Sequence, residues 1–365
     1  MSEAPGFRAA ADLLRAAVAR RIFPAAAAVV GCRAGRLWQD AWGTLTFDHS
    51  AAPATLDTIF DLASLTKPLA TTTVVLDLVA RGRLQLDDPL ARFFPEWRRE
   101  DRLGVRVVDL LEHASGLPAR LVDLPPDGRR AFERDICTSP LAYVPRTQAL
   151  YSDLGFVLLG FLAADRAGEP LDRAFARAIA SVMDGRDGRD WRDADTAPTL
   201  AFGVTPDQRA RTAPTEALPE DRRAGRLAGQ VHDNYAAALG GVAGHAGLFG
   251  TAREVGDLAR EILQAVTVGP TTLLPATLVQ RSVQKSTVPN SSRALGWDTM
   301  LPTSSCGRRM SPGAFGHVGF TGTSLWIDPV RDRYFVLLTN RACGGGSLDE
   351  MRTVRRQFHD ALAEV

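Results

Sequence analysis

Within residues 7–21 the apolar side chains Phe7, Ala11, Leu14 and Val18 recur at spacings of three and four, and the arginines fall mostly elsewhere. That period predicts an amphipathic helix lying on a sheet. The pattern then tightens into short apolar runs. Residues 25–32, 37–42 and 58–62 read as strands, and the turn Arg33-Ala34-Gly35-Arg36 makes the first two a hairpin. From Ser64 a helical pattern runs through Val74, Leu76 and Leu78 to Arg81-Gly82, a basic last turn closed by glycine. Pro68 lies close enough to its start to be tolerated. A mainly helical, loop-rich region follows, with further helical stretches over 107–117 and 154–166.

Residues 183–226 break the pattern, with several prolines and few large apolar side chains, and predict a surface excursion in which 185–195 is disordered or decorative. Next comes a glycine-rich run over 240–250, which lets the backbone turn tightly or approach a ligand closely. It is not a phosphate cradle, because no Gly-Lys-Ser or Gly-Lys-Thr follows. Thr251 and Glu254 form a capping box for a helix through Leu263, and Ser347 and Glu350 form another for a helix ending near Leu362. Between them, 315–328 and 334–339 read as strands joined by Pro329-Val330-Arg331-Asp332. Strand-rich ends around a helical middle predict an α/β fold: an antiparallel sheet built from both chain termini and flanked by helices, with a mostly α-helical domain inserted. The α/β part takes 1–62 and about 290–365, the helical part about 63–289, and the cleft between them is the expected site.

Composition narrows the function. A chain of 365 residues can bury a large core, and 43 lysines and arginines against 42 acids leave no excess charge to favour nucleic acid or an anionic membrane. Cys32, Cys137, Cys306 and Cys343 are scattered without a Cys-x-x-Cys pair, which predicts four reduced thiols and neither a zinc knuckle nor a disulfide framework. The opening Met1-Ser2-Glu3-Ala4-Pro5 has no basic region leading into an apolar run, and no uncharged stretch approaches the roughly 18 residues of a membrane span. The expectation is a cytoplasmic protein without cofactor, acting on a small neutral or weakly charged molecule.

The chemistry centres on Ser64-Leu65-Thr66-Lys67. Residues at i and i+3 share a helix face, so the Lys67 ammonium reaches the Ser64 hydroxyl, and a neighbouring base or cation is the usual remedy for a poor nucleophile. A helix start also aims free N–H groups at an oxyanion forming there. Tyr151-Ser152-Asp153 precedes a helix; a phenol serves as base only where cations such as Lys67 lower it from about 10. His317-Val318-Gly319 lies in a strand whose glycine removes a side chain, so that an acyl group lies along it and takes the Phe320 N–H, with the Ser64 N–H as second oxyanion donor. Taken singly, each has a plain structural reading: a capped helix with a solvated lysine, a core tyrosine, a bulge with a core histidine.

In this order the three motifs resemble those of the serine β-lactamase and penicillin-binding protein superfamily, and most closely its class C β-lactamase-like branch. That branch includes esterases, D-alanyl-D-alanine carboxypeptidases, D-amino-acid peptidases and acyltransferases. Leu110-Leu111-Glu112-His113-Ala114-Ser115-Gly116-Leu117 and the 240–249 run add to the likeness, which spans about residues 20 to 340. It implies that Ser64 is the acylated nucleophile, Lys67 the proton acceptor or the cation beside the phenol, and Tyr151 the general base and later the acid. Asp153, His317, Gly319 and Phe320 would face the substrate. Asp153 stands where the β-lactamases usually have asparagine, and His317 where they have lysine; an acid and a largely neutral ring favour esterase-like or peptidase-like chemistry over β-lactam hydrolysis. β-Lactamase, acyltransferase and a non-catalytic ligand-binding member are the alternatives. His113 reads as a buried structural histidine, and His245 as a residue lining the cleft. The spacing of His232-Asp233 and His245 matches no metal motif, so no metal is expected. A Gly-x-Ser-x-Gly elbow is absent around Ser64, where Leu62 and Thr66 occupy the glycine places.

Overall fold

The computed structural model describes residues 4–121, 125–184, 199–219, 221, 223–363 and 365. Its largest sheet runs Gly35–Gly43, Ala25–Cys32, Arg333–Thr339, Ser324–Asp328, Phe315–Val318 and Asp298–Thr299, every neighbour antiparallel. The two ends of the chain therefore share one sheet, with Val29 opposite Val336. Ala25–Cys32 is buried along its whole length because both faces of the sheet are covered. Ala26, Ala28 and Val30 pack with Phe7 and Leu14 of helix Pro5–Ala19 and with Phe358 of helix Leu348–Leu362. Ala25, Ala27 and Val29 face the core that holds Val255 and Leu258 of helix Ala252–Thr267. Both predicted capping boxes form. All four cysteines are free and buried.

In the helical part, Asp153–Ala167 is buried along most of its length, as a helix apolar on every side must be. Thr73–Ala80 and Leu171–Asp184 pack on it. Three expected elements differ. The strand over 58–62 shortens to Phe60–Asp61, paired with Leu248–Gly250. The helical stretch over 107–117 ends at Leu111, because His113 takes a left-handed φ of 56°. The strand over 315–328 splits into Phe315–Val318 and Ser324–Asp328, with a turn at Gly319 to Gly322 closed by the Gly322 N–H on the Gly319 carbonyl. The excursion over 185–195 lies outside the described residues. Among the described residues no helix is long and apolar enough to cross a membrane.

Candidate active site

Ser64 does not open a regular α-helix. Ala63–Leu65 is a 3-10 turn, Lys67–Thr72 a π-helical turn, and the α-helix begins only at Thr73. Pro68 sits in the first turn, where its missing N–H costs nothing, and wide π turns of this kind are frequent at functional sites. Just before the serine, Ala63 holds φ at +48°, a left-handed conformation that costs an alanine about 1 kcal/mol or more. Asp61 sustains it: one carboxylate oxygen accepts the Ala63 N–H at 2.8 Å and the other the His232 N–H at 2.6 Å. Burial pushes the Asp61 carboxyl up to about 6, against the pull of those two donors.

Lys67 is fully buried, and its three ammonium protons have three acceptors. They are Ser64 Oγ at 3.1 Å, Asp153 Oδ1 at 2.8 Å and the His245 carbonyl at 3.2 Å. Burial would lower this ammonium, but the Asp153 carboxylate and then the Tyr151 phenol outweigh it and raise it above its ordinary value. Burial likewise works against the Asp153 charge, and the Lys67 ammonium overcomes it, so the carboxyl lies below its usual range. Its second oxygen takes Arg120 Nη1 at 3.1 Å, which also reaches Asp233 at 3.1 Å, while Asp233 holds His245 Nε2 at 2.8 Å. Lys67, Asp153, Arg120, Asp233 and His245 thus form one alternating chain of charge and hydrogen bonds.

Tyr151 sits inside a collar of rings and cations. The Lys67 ammonium is 4.8 Å from its ring centre and the Arg293 guanidinium 5.0 Å. His113 lies 4.7 Å and His317 5.8 Å from it, centre to centre. His113 Nδ1 accepts the Ser152 N–H at 3.0 Å, which fixes the start of the helix after Tyr151; Ser152 itself caps that helix. His317 Nδ1 is 2.9 Å from the Val318 carbonyl, which can only accept, so Nδ1 carries the proton and Nε2 has no partner. Burial first, and then neighbouring cations, hold both imidazoles well below their usual values, so both rings are neutral at pH 7.

The turn after His317 is bolted to the serine segment. Thr321 and Thr323 donate their hydroxyls to the Asp61 and Leu62 carbonyls at 2.8 and 3.0 Å. Gly319 lies just past the strand, in the cavity wall. A Cβ there would stand 2.6 Å from the Leu62 carbonyl oxygen and 2.2 Å from Thr323 Oγ1, so the glycine lets the turn close on the serine segment.

Ser64, Tyr151, Asp153, His245, His317, Gly319 and Phe320 line one cavity of about 380 Å³, and Lys67 lies behind Ser64. The residues brought together from the sequence reading are joined in the lining by three that it missed, Arg120, Arg293 and Arg355, while a fourth, Arg341, holds the Phe320 carbonyl. No motif marks them in an arginine-rich chain. The Arg293 guanidinium makes no hydrogen bond or ion pair among the described residues, although it lines the cavity. At the mouth stand Leu348 and Phe320, 52% and 43% exposed, the latter stacked between His232 and Arg341.

A model of the family described as Beta-lactamase matches residues 10–360. Over 341 residues the chain is 31% identical to an Escherichia coli (strain K12) protein named "Putative D-alanyl-D-alanine carboxypeptidase", a match covering 84% of this chain and 75% of that protein. Among solved structures, EstCE1, a hydrolase with promiscuous acyltransferase activity, superposes with a TM-score of 0.75 at 19% identity, covering 98% of each chain. A class C beta lactamase from Rhodobacter sphaeroides gives 0.74 at 18% identity, covering 98% of this chain and 99% of its own. At such identities these two likenesses speak to the fold alone.

Proposed function

This chain belongs to the beta-lactamase family of serine hydrolases, and from that premise we propose that it cleaves small amide or ester substrates through an acyl-enzyme on Ser64, with short peptides bearing a free terminal carboxylate as the preferred class. One observation carries the reading: a buried lysine donates to the Ser64 hydroxyl while a carboxylate holds it charged. A lysine kept as a cation is no base, so Tyr151 is the group left to take the proton. Ser64 Oγ attacks the carbonyl carbon as its proton passes to Tyr151, and the oxyanion is met by the Ser64 and Phe320 N–H groups. When the tetrahedral centre collapses, the leaving nitrogen or oxygen takes the proton from Tyr151. Water then enters by the reverse route and frees the acid.

Arg293 supports the peptide class. A cation without an acidic partner among the described residues, beside neutral His317 in the cavity wall, suits a substrate carboxylate. The relatives' carboxypeptidase names agree with it. A second reading, carboxylesterase, is favoured by the apolar mouth at Phe320 and Leu348, which suits neutral acyl chains. β-Lactam hydrolysis ranks below both.

Ser64→Ala is expected to abolish turnover of a nitrophenyl ester, and a fluorophosphonate to leave its adduct on Ser64 by mass spectrometry. An active Ser64→Ala protein, or an adduct elsewhere, would overturn the reading. Peptides ending in a D-residue, offered as free acid and as amide, separate the two classes. The acid should be preferred, and Arg293→Gln should raise its KM roughly tenfold while leaving the amide unchanged.

A further inference from the structure

Helix Leu348–Leu362 turns Met351, Val354 and Phe358 into the core, and among them it places an arginine. Arg355 is 7% exposed and has no acidic partner among the described residues. Burial, and secondarily the nearby Arg341, pull its guanidinium down to about 9. A cation buried without a counter-ion is costly, and a leucine would fill this helix position without that cost. What the guanidinium touches supplies the reason for it. Its Nη2 donates to the Gly319 carbonyl at 2.6 Å and to the Thr323 carbonyl at 2.9 Å.

The Gly319 carbonyl and the Phe320 N–H belong to the same planar peptide group. Arg341 takes the next carbonyl along, that of Phe320, at 2.8 Å. Charge on the oxygen side of a peptide group draws electron density from its nitrogen, so the N–H becomes a stronger donor, and hydrogen bonds in series reinforce one another. We propose that Arg355 is a positioning residue for the oxyanion hole, acting from behind through the Gly319–Phe320 peptide group to fix and polarise the Phe320 N–H. The inference rests on the reading above, in which that N–H faces the oxyanion. It assigns to the C-terminal helix a part in the chemistry as well as in covering the sheet.

The test compares the wild-type chain with Arg355→Gln and Arg355→Lys in three measurements. These are the single-turnover acylation rate with a nitrophenyl ester, the affinity for that ester when each change is combined with Ser64→Ala, and the infrared carbonyl band of the acyl-enzyme. Arg355→Gln should acylate roughly tenfold more slowly, short of the 10²- to 10³-fold loss of removing a donor outright. Ester affinity should stay within about twofold, and the acyl carbonyl band should move to higher frequency as its hydrogen bond weakens. Arg355→Lys, which keeps a cationic donor, should fall between; if Arg355→Gln does not fold, the lysine variant alone must show a slower rate and a shifted band. An unchanged rate and band in a folded variant would overturn the proposal, as would a loss confined to ester affinity, which would make Arg355 a substrate-binding group. A wild-type chain that never acylates at Ser64 would overturn the underlying reading as well, whereas wild-type acylation with an indifferent Arg355 would overturn this inference alone.

Discussion

Asp153 is the first residue of its helix, and its two oxygens are divided between Lys67 and Arg120. The motif marked Asp153 as a substrate-facing replacement for an amide; the structure places it in the cavity wall and also ties it to the lysine behind the nucleophile. Replacing it by asparagine leaves Lys67 buried beside a neutral group, so burial dominates and the ammonium falls. Below its folded value the lysine is charged and activity is present; with that value lowered, the charge is lost at a lower pH. Asp153→Asn is therefore expected to move the alkaline limb of the kcat/KM profile towards neutrality and to cut the plateau at least tenfold, read from initial rates between pH 6 and 11. An unmoved limb would show that Lys67 does not depend on Asp153. At this scale Ser64, Lys67 and Tyr151 were legible because each sits in a short motif, and Lys67 is one of only two lysines in the chain. Arg120, Arg293, Arg341 and Arg355 were not, because what distinguishes each is the group it meets from a distant part of the chain.

Between the elements, the decisive contact is the turn at 319–323 against the segment at 61–63. Two threonine hydroxyls hold it, and Gly319 permits the approach. Since a Cβ at Gly319 would meet a backbone carbonyl, which cannot rotate away, Gly319→Ala must push the turn off the serine segment. Overpacking of this kind costs about 1–3 kcal/mol of stability, whereas a displaced oxyanion donor costs roughly 10²-fold in kcat. The expected outcome is a modest fall in the urea midpoint with a much larger fall in kcat; near-normal kcat would mean that the turn does not supply the donor. Apolar runs and capping boxes made the strands and the two capped helices readable from sequence. The π turn after Ser64 and the break at Gly319 were not, because both are imposed by contacts with elements far away in the chain.

Across the whole molecule, folding buries a set of imidazoles and disfavours their charged form. His113, His232, His317 and His359 are each at most 4% exposed, and burial is the leading cause that lowers every one, His359 to about 3. In the unfolded chain each titrates near 6.5, so between that value and the folded one the unfolded state binds more protons and stability falls as pH falls. A histidine neutral throughout in the folded state loses about 2 kcal/mol of stability between pH 7 and pH 5. Asp61 works in the opposite direction: its folded value of about 6 lies above its unfolded one, which returns about 1 kcal/mol over the same range. Several lowered histidines against one raised carboxyl leave a net loss, set against the about 5–15 kcal/mol that holds a typical domain together. Acid unfolding should therefore begin near pH 5 to 6, above the carboxylate range, with urea-derived stability falling steeply from pH 7. His359→Gln, which keeps a polar partner for the Ser324 hydroxyl, should flatten that slope by close to one proton. A stability flat from pH 7 to 5 would mean that the folded protein takes up these protons without opening, and that the imidazoles around Tyr151 are able to carry charge in place.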